Sequence, residues 1–218
     1  MSQKIFCLGL PRTGTTSLHL ALVMLGIPSI HRPIGMAYEM FQGRVSPSFL
    51  NNYDAFSDLP IPSYHRELKL KYPDALFILT ERDEQEWVES IKRFLITRPA
   101  PSKETILRDM LRLAMFGRTT FEEERFRNTF RRHHDEVLES FQDNPKSLLR
   151  INVADKNSVS QLSRFVGVNP RFTHLPRLRE PNLGNYSAVG KQDIAHISAL
   201  LLEFYMQGGE NFEKFAFN

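Results

Sequence analysis

"KIFCLGLPRTGTTSLHLALVMLG", residues 4–26, decides how this chain folds. It opens with the apolar run Ile5-Phe6-Cys7-Leu8, crosses a glycine-containing segment, and continues into Leu18, Leu22 and Leu25, closed by Gly26. Spacings of four and three put those leucines on one helical face, and a glycine just beyond the last of them is a helix stop. The stretch therefore reads strand, turn, helix. Its turn carries Gly9 and Gly14 at the spacing of the Gly-x4-Gly-Lys-Ser/Thr phosphate loop, with Thr16 at the hydroxyl position. Thr15 stands where that pattern has its lysine, and the cation inside the turn is Arg12. Such a turn offers backbone N–H groups to an anion, reinforced by the helix dipole. The hydroxyls of Thr13, Thr15, Thr16 and Ser17 can add further hydrogen bonds.

The same alternation continues outward. "YDAFSDLP" (53–60) reads as a short strand stopped by Pro60, and "PSYHRELKLKY" (62–72) as a helix with proline near its start. "DALFILTE" (74–81) is a buried strand, followed by the helix "DEQEWVESIKRFLI" (83–96) with acidic residues in its first turn. Strand-helix alternation implies a parallel sheet covered on both faces. After "TRPAPS" (97–102), two helical patterns at roughly 103–116 and 121–142 follow without a strand between them, so residues of about 102–143 read as a helical insertion. "SLLRINV" (147–153) restores a strand and "KNSVSQLSRFVG" (156–167) a helix. The irregular, basic segment 168–190 is long enough to be a functional lid, and a terminal helix is expected at about 191–207. No repeat and no second domain is evident, so residues 1–218 read as one domain.

Bulk properties narrow the function. The chain is 41% hydrophobic over 218 residues, enough for one sizeable α/β core. A net charge of +3, with 25 acidic residues interspersed, suits a small polyanionic ligand and argues against nucleic acid. Cys7 is the single cysteine and lies within an apolar strand, which makes it a buried structural thiol and leaves no intrachain disulfide. The apolar run at the start is too short for a signal core, and no stretch approaches the roughly 18 apolar residues of a membrane span. The expectation is a cytoplasmic protein.

"PRTGTT" resembles the 5′-phosphosulfate loop of sulfotransferases, whose usual form is Pro-Lys/Arg-Ser/Thr-Gly-Thr-Thr. "LFILTERDEQEWVES" is similar to the family's 3′-phosphate motif, a strand, then Arg-Asp, then a serine eight residues after the arginine; Arg82 and Ser90 fit it. The longer stretch 53–83, with Tyr53-Asp54-Ala55 and Asp58-Leu59-Pro60, resembles a group of small sulfotransferases. The resemblance covers the first hundred residues, while the helical insertion matches nothing specific. It implies a three-layer α/β, P-loop NTPase-like fold. It also implies 3′-phosphoadenosine 5′-phosphosulfate as donor, 3′,5′-ADP as product, no metal, and a small-molecule acceptor. The donor's 5′ end falls to Pro11, Arg12, Thr13, Gly14, Thr15, Thr16 and Ser17, and its 3′-phosphate to Arg82 and Ser90. Arg12 takes the position of the catalytic cation. Arginine cannot give up a proton at neutral pH, so its help is electrostatic.

Removal of the acceptor's proton needs a base. Asp58, at a strand end, is the first choice. His31, in the loop after the first helix, is the second, and His65 the third. Each has a plainer alternative: Asp58 as a cap on the next helix, His31 as an ordinary loop residue. His133 and His134 are adjacent on a helix, face different directions and read as solvated. Trp87 reads as core, or as a border of an adenosine pocket. Arg177, Arg179 and Lys191 are candidates to close over the 3′-phosphate. Two other readings stand beside this one. In a P-loop kinase or nucleotidase, Glu81 would act as a Walker B acid and Thr16 would hold Mg²⁺. The third is a catalytically silent nucleotide-binding protein.

Overall fold

The computed structural model describes residues 3–33, 36, 39, 50–96, 103–170 and 173. The break 97–102, most of the segment 168–190 with Arg177 and Arg179, Lys191, and the helix expected at 191–207 lie outside them. Among the described residues the strands are β1 (Ile5–Cys7), β2 (Ser29–His31), β3 (Ala55–Ser57), β4 (Leu76–Thr80) and β5 (Leu148–Ile151). The α-helices are α1 (Thr15–Met24), α2 (His65–Lys71), α3 (Glu84–Ile96), α4 (Lys103–Phe116), α5 (Glu123–Ser140) and α6 (Ser158–Val166), with short 3-10 turns at Ile61–Tyr64 and Pro145–Ser147.

All strand pairs are parallel, in the order β2-β3-β1-β4-β5. Such a sheet is buried on both sides, which is why its central strands β1 and β4 are apolar at successive positions. On one face Ile5, Cys7 and Ile78 meet Leu18, Ala21 and Leu22 of α1 and Val159 and Leu162 of α6. On the other, Phe6, Leu8, Phe56 and Phe77 meet Leu68 of α2, Val137 of α5 and Phe141 just beyond its end. This is the expected three-layer α/β arrangement. Cys7 is fully buried, and burial pushes its thiol far above the ordinary range.

The helices α4 and α5 occupy the place of the expected insertion. Their junction with α3 forms a separate cluster of Trp87, Val88, Ile91 and Leu95 with Met110, Leu111, Met115, Phe116 and Phe126. Leu10 and Leu59, from the turns after β1 and β3, belong to it as well. The insertion therefore packs against the segments that leave the sheet.

Three expectations need correction. His31 is not in a loop but ends β2, paired with Ser57. A three-residue strand directly after Pro28 leaves no period-2 pattern to read. The helix expected from residue 62 begins as the 3-10 turn and becomes α-helical only at His65. His133 is not solvated: it is 4% exposed, and its Nε2–H donates to the Leu8 carbonyl at 2.7 Å. A helix facing the sheet end needs a polar partner for that free carbonyl, and His133 supplies it. His134 points the other way, to Glu81 at 2.8 Å.

Four buried histidines make the fold acid-sensitive. Burial lowers His31 and His65, and drives His19 and His133 down from 6.5 to about 4. Between those values the unfolded chain binds protons that the fold refuses. Stability is therefore complete above the unfolded value and falls as pH drops toward the folded one, by about 1.4 kcal/mol per unit of depression for each histidine. Urea unfolding is expected to show a lower midpoint at pH 5 than at pH 7.5. In His133→Gln, which keeps a donor for Leu8, the fall should be shallower; an equal fall would mean that His133 does not contribute.

Candidate functional site

Ligands of open parallel sheets bind where the strands end. Here the backbone is strained at that edge. Arg12 (φ 74°), Arg32 (φ 54°) and Asp58 (φ 69°) are left-handed without being glycine, and they follow β1, β2 and β3, three neighbouring strands. Each such residue costs on the order of 1–3 kcal/mol and persists only where its surroundings fix it.

The loop between β1 and α1 is fixed from several sides. A Cβ on Gly9 would stand 1.7 Å from Thr80 Oγ1, and one on Gly14 (φ 103°) 2.3 Å from Val153 Cγ2, so both glycines are required. Thr13 Oγ1 donates to the Leu10 carbonyl at 2.7 Å and meets Thr80 Oγ1 at 2.5 Å. Thr13 and Thr15 are buried, so what they present outward is backbone. Thr16 and Ser17 are half-buried.

Helix α3 and the segment just before it clamp Pro11 and Arg12. Trp87 Nε1–H donates to the Pro11 carbonyl at 2.8 Å, and Arg82 Nη1 to the Arg12 carbonyl at 3.1 Å. Arg12 Nε donates to Ser90 Oγ at 3.1 Å, and its guanidinium lies 5.3 Å from the centre of the Phe94 ring. Arg82, Glu86, Ser90 and Phe94 are spaced by four, one stripe along and just before the helix. The structure thus brings Arg12, Arg82 and Ser90 together. Ser90 is 4% exposed and faces Arg12. Burial, then Arg82, and then Arg93 after the opposing Asp58, weigh on the Arg12 cation and lower it from its ordinary value. A ligand anion among these groups would reverse that balance, so the residues present fit one. A cavity of about 440 Å³ opens beside Arg82, bordered as well by Leu10, Thr13, Glu81, Phe130 and His134.

On the other side of the loop the candidate bases meet. His31 Nε2 lies 3.1 Å from Thr16 Oγ1 and 3.3 Å from Asp58 Oδ2. Its Nδ1 is 3.1 Å from Ser57 Oγ, and its ring stacks on His19 at 5.7 Å. Burial lowers His31; Asp58 opposes this and Arg32 adds to it. The other Asp58 oxygen accepts the Leu59 N–H at 2.7 Å, and the 3-10 turn separates Asp58 from α2, so it does not cap that helix. His65, the third candidate, lies apart: its Nδ1–H donates to Pro62 O at 3.3 Å and its ring meets His133 edge-on. Glu81 pairs with His134 and Arg150, both at 2.8 Å, on the β4–β5 side of β1, whereas Thr16 faces His31 on the β2–β3 side. The acid and the hydroxyl of the kinase reading are therefore engaged on opposite sides of the central strand. Among the described residues no group of three or more His, Cys, Asp or Glu side chains is placed to hold a metal ion.

Sequence reasoning missed Ser57, Phe94 and the donor role of Trp87. The four-residue stripe ending at Phe94 was the available signal for one of them; Ser57 depends on the pairing of β2 with β3.

A family model for a sulfotransferase domain matches residues 4–182. "Ava biosynthesis cluster protein M" of Aspergillus versicolor is 35% identical over 114 residues. That match covers 44% of this chain and 44% of the relative, so the chain spans less than half the length of that curated protein. Among the described residues no helix is long and apolar enough to cross a membrane.

Proposed function

The chain belongs to the sulfotransferase domain family, and on that premise we propose that it moves the sulfuryl group of 3′-phosphoadenosine 5′-phosphosulfate to a hydroxyl or amine of a small-molecule acceptor. The observation that carries this reading is the placement of Arg12. Its cation is held by Ser90 and Phe94 and its backbone carbonyl by Arg82, at the mouth of a turn whose lysine position is the buried Thr15. In the in-line displacement the sulfur–oxygen bond to the nucleotide breaks as one to the acceptor forms. Charge grows on the bridging oxygen, and a preorganised guanidinium stabilises it without reorganisation. The proton released by the acceptor goes to the Asp58–His31 pair, across the loop from α3 and close enough for Asp58 to favour the Arg12 cation.

The backbone of Pro11 to Ser17 would hold the 5′ end, and Arg82 with Ser90 the 3′-phosphate. The cavity beside Arg82 offers room for the nucleoside. The fungal relative is named for a biosynthesis cluster, which agrees with a small-molecule acceptor. A single buried cysteine agrees with a reducing compartment such as the cytoplasm.

Calorimetry on Arg82→Ala tests the nucleotide assignment. Loss of a charged hydrogen-bond partner costs about 1.5–3 kcal/mol, so 3′,5′-ADP should bind on the order of ten to a hundred times more weakly. ADP, which lacks the 3′-phosphate, should change little. Equal losses for both nucleotides would remove the assignment.

A further inference from the structure

A guanidinium on a long, flexible stem stabilises transition-state charge only if its place and its plane are both fixed. Ser90 fixes one atom of Arg12, Nε. Phe94, one turn further along α3, places its ring beneath the guanidinium, 5.3 Å from ring centre to Cζ. The same ring carries a second guanidinium, that of Arg112 from α4, at 5.2 Å. Arg112 is 9% exposed, and its Nη1 donates to Asp109 Oδ1 at 3.2 Å within its own helix. Its neighbours Met110 and Leu111 are anchored in the cluster that α4 shares with α3.

We propose that Phe94 is a positioning residue for Arg12, and that Arg112 holds Phe94 in place, so that the helical insertion is coupled to the transfer site through the two guanidiniums that share the Phe94 ring. This rests on the reading that Arg12 serves the transfer. It gives the insertion a task that neither the loop motif nor the family match assigns. It also explains why the stripe of Arg82, Glu86 and Ser90 extends one turn further, to an aromatic residue.

The test uses the full chain with three variants. Phe94→Leu keeps the apolar bulk and removes the ring, Phe94→Tyr keeps the ring, and Arg112→Met keeps most of the packing and removes the charge. One readout is independent of turnover: the Nε–H resonance of Arg12 in ¹⁵N-labelled protein, assigned by its absence in Arg12→Ala. A proton near a ring face carries a ring-current shift. Phe94→Leu should move that resonance and speed its exchange with water, Phe94→Tyr should restore both, and Arg112→Met should shift it in the same direction by less. Turnover of 3′-phosphoadenosine 5′-phosphosulfate with a simple phenol should fall about tenfold in Phe94→Leu, the scale of one partly desolvated cation–π contact. Affinity for 3′,5′-ADP should hold, and Phe94→Leu should add no further loss to Arg12→Ala.

An unmoved resonance in Phe94→Leu overturns the proposal, and so does unchanged turnover beside a shifted resonance. If Arg12→Ala itself leaves turnover intact, the catalytic reading fails, while the resonance still reports whether the shared ring contact exists. If Arg12→Ala abolishes turnover and Phe94→Leu does not lower it, the positioning claim alone fails.

Discussion

Arg12→Ala is expected to lower turnover by roughly 10²–10³ while leaving the affinity for 3′,5′-ADP nearly unchanged. The argument is one of timing. On the proposed assignment the backbone N–H groups of the turn would already serve the 5′ end of the nucleotide in the ground state, whereas charge on the bridging oxygen would exist only as the bond to sulfur stretches. Interactions that grow in the transition state change turnover, and those equal in both states change only binding. Arg12→Lys should retain part of the activity, because a cation remains. It should not retain all of it: a lysine ammonium is a single point charge and cannot donate to Ser90 through a side N–H while holding its charge over the Phe94 ring. Steady-state kinetics beside calorimetry separates the possibilities. A loss of turnover no larger than the loss of donor affinity would make Arg12 a binding residue only.

Asp58→Asn is expected to cost turnover on the order of 10²–10⁴, the range for removal of a general base. Asparagine keeps the acceptor for the Leu59 N–H and tolerates the left-handed backbone at this position, so the thermal midpoint should barely move. The pH profile carries further information. As the proposed base, the pair must be deprotonated to accept a proton, so the rate should fall as pH drops. Because burial lowers His31, the acid limb of its neutral form lies below the ordinary histidine range. Asp58 opposes that lowering, so any residual activity of Asp58→Asn should have its limb moved further toward acid. His31→Ala should be impaired as well, and the double variant no worse than the more damaged single one, as for groups that act as a unit. An active Asp58→Asn beside an inactive His31→Ala would make the histidine the base and Asp58 its support.

The parts of this site legible in the sequence were those in which one residue type is forced locally. Gly9 and Gly14 announce the turn because no side chain fits against Thr80 and Val153. The run from Leu76 to Thr80 and the helix after it were plain from their length and apolar pattern, which placed Arg82 and Ser90 at a sheet end. What stayed hidden depends on which strands lie side by side. Asp58 and His31 were separate candidates, 27 residues apart, and become a pair only because β2 lies beside β3. The same ignorance of order left His133 as a surface residue, since nothing in "RRHHDE" says that one of the two histidines faces the end of β1. The resemblance put Ser90 on a phosphate. The fold adds that its hydroxyl faces Arg12, a contact that follows from the left-handed turn at residue 12 and has no signature in composition or spacing.

The claim that this chain transfers a sulfuryl group is tested most directly by donor labelled in its sulfur, offered with a panel of phenols, alcohols and amines, with and without EDTA. Label is expected in at least one acceptor, with one 3′,5′-ADP released per label transferred, no effect of the chelator, and a signal that collapses in Arg12→Ala. Absence of label from every acceptor, together with chelator-sensitive phosphoryl transfer from ATP, would contradict that claim.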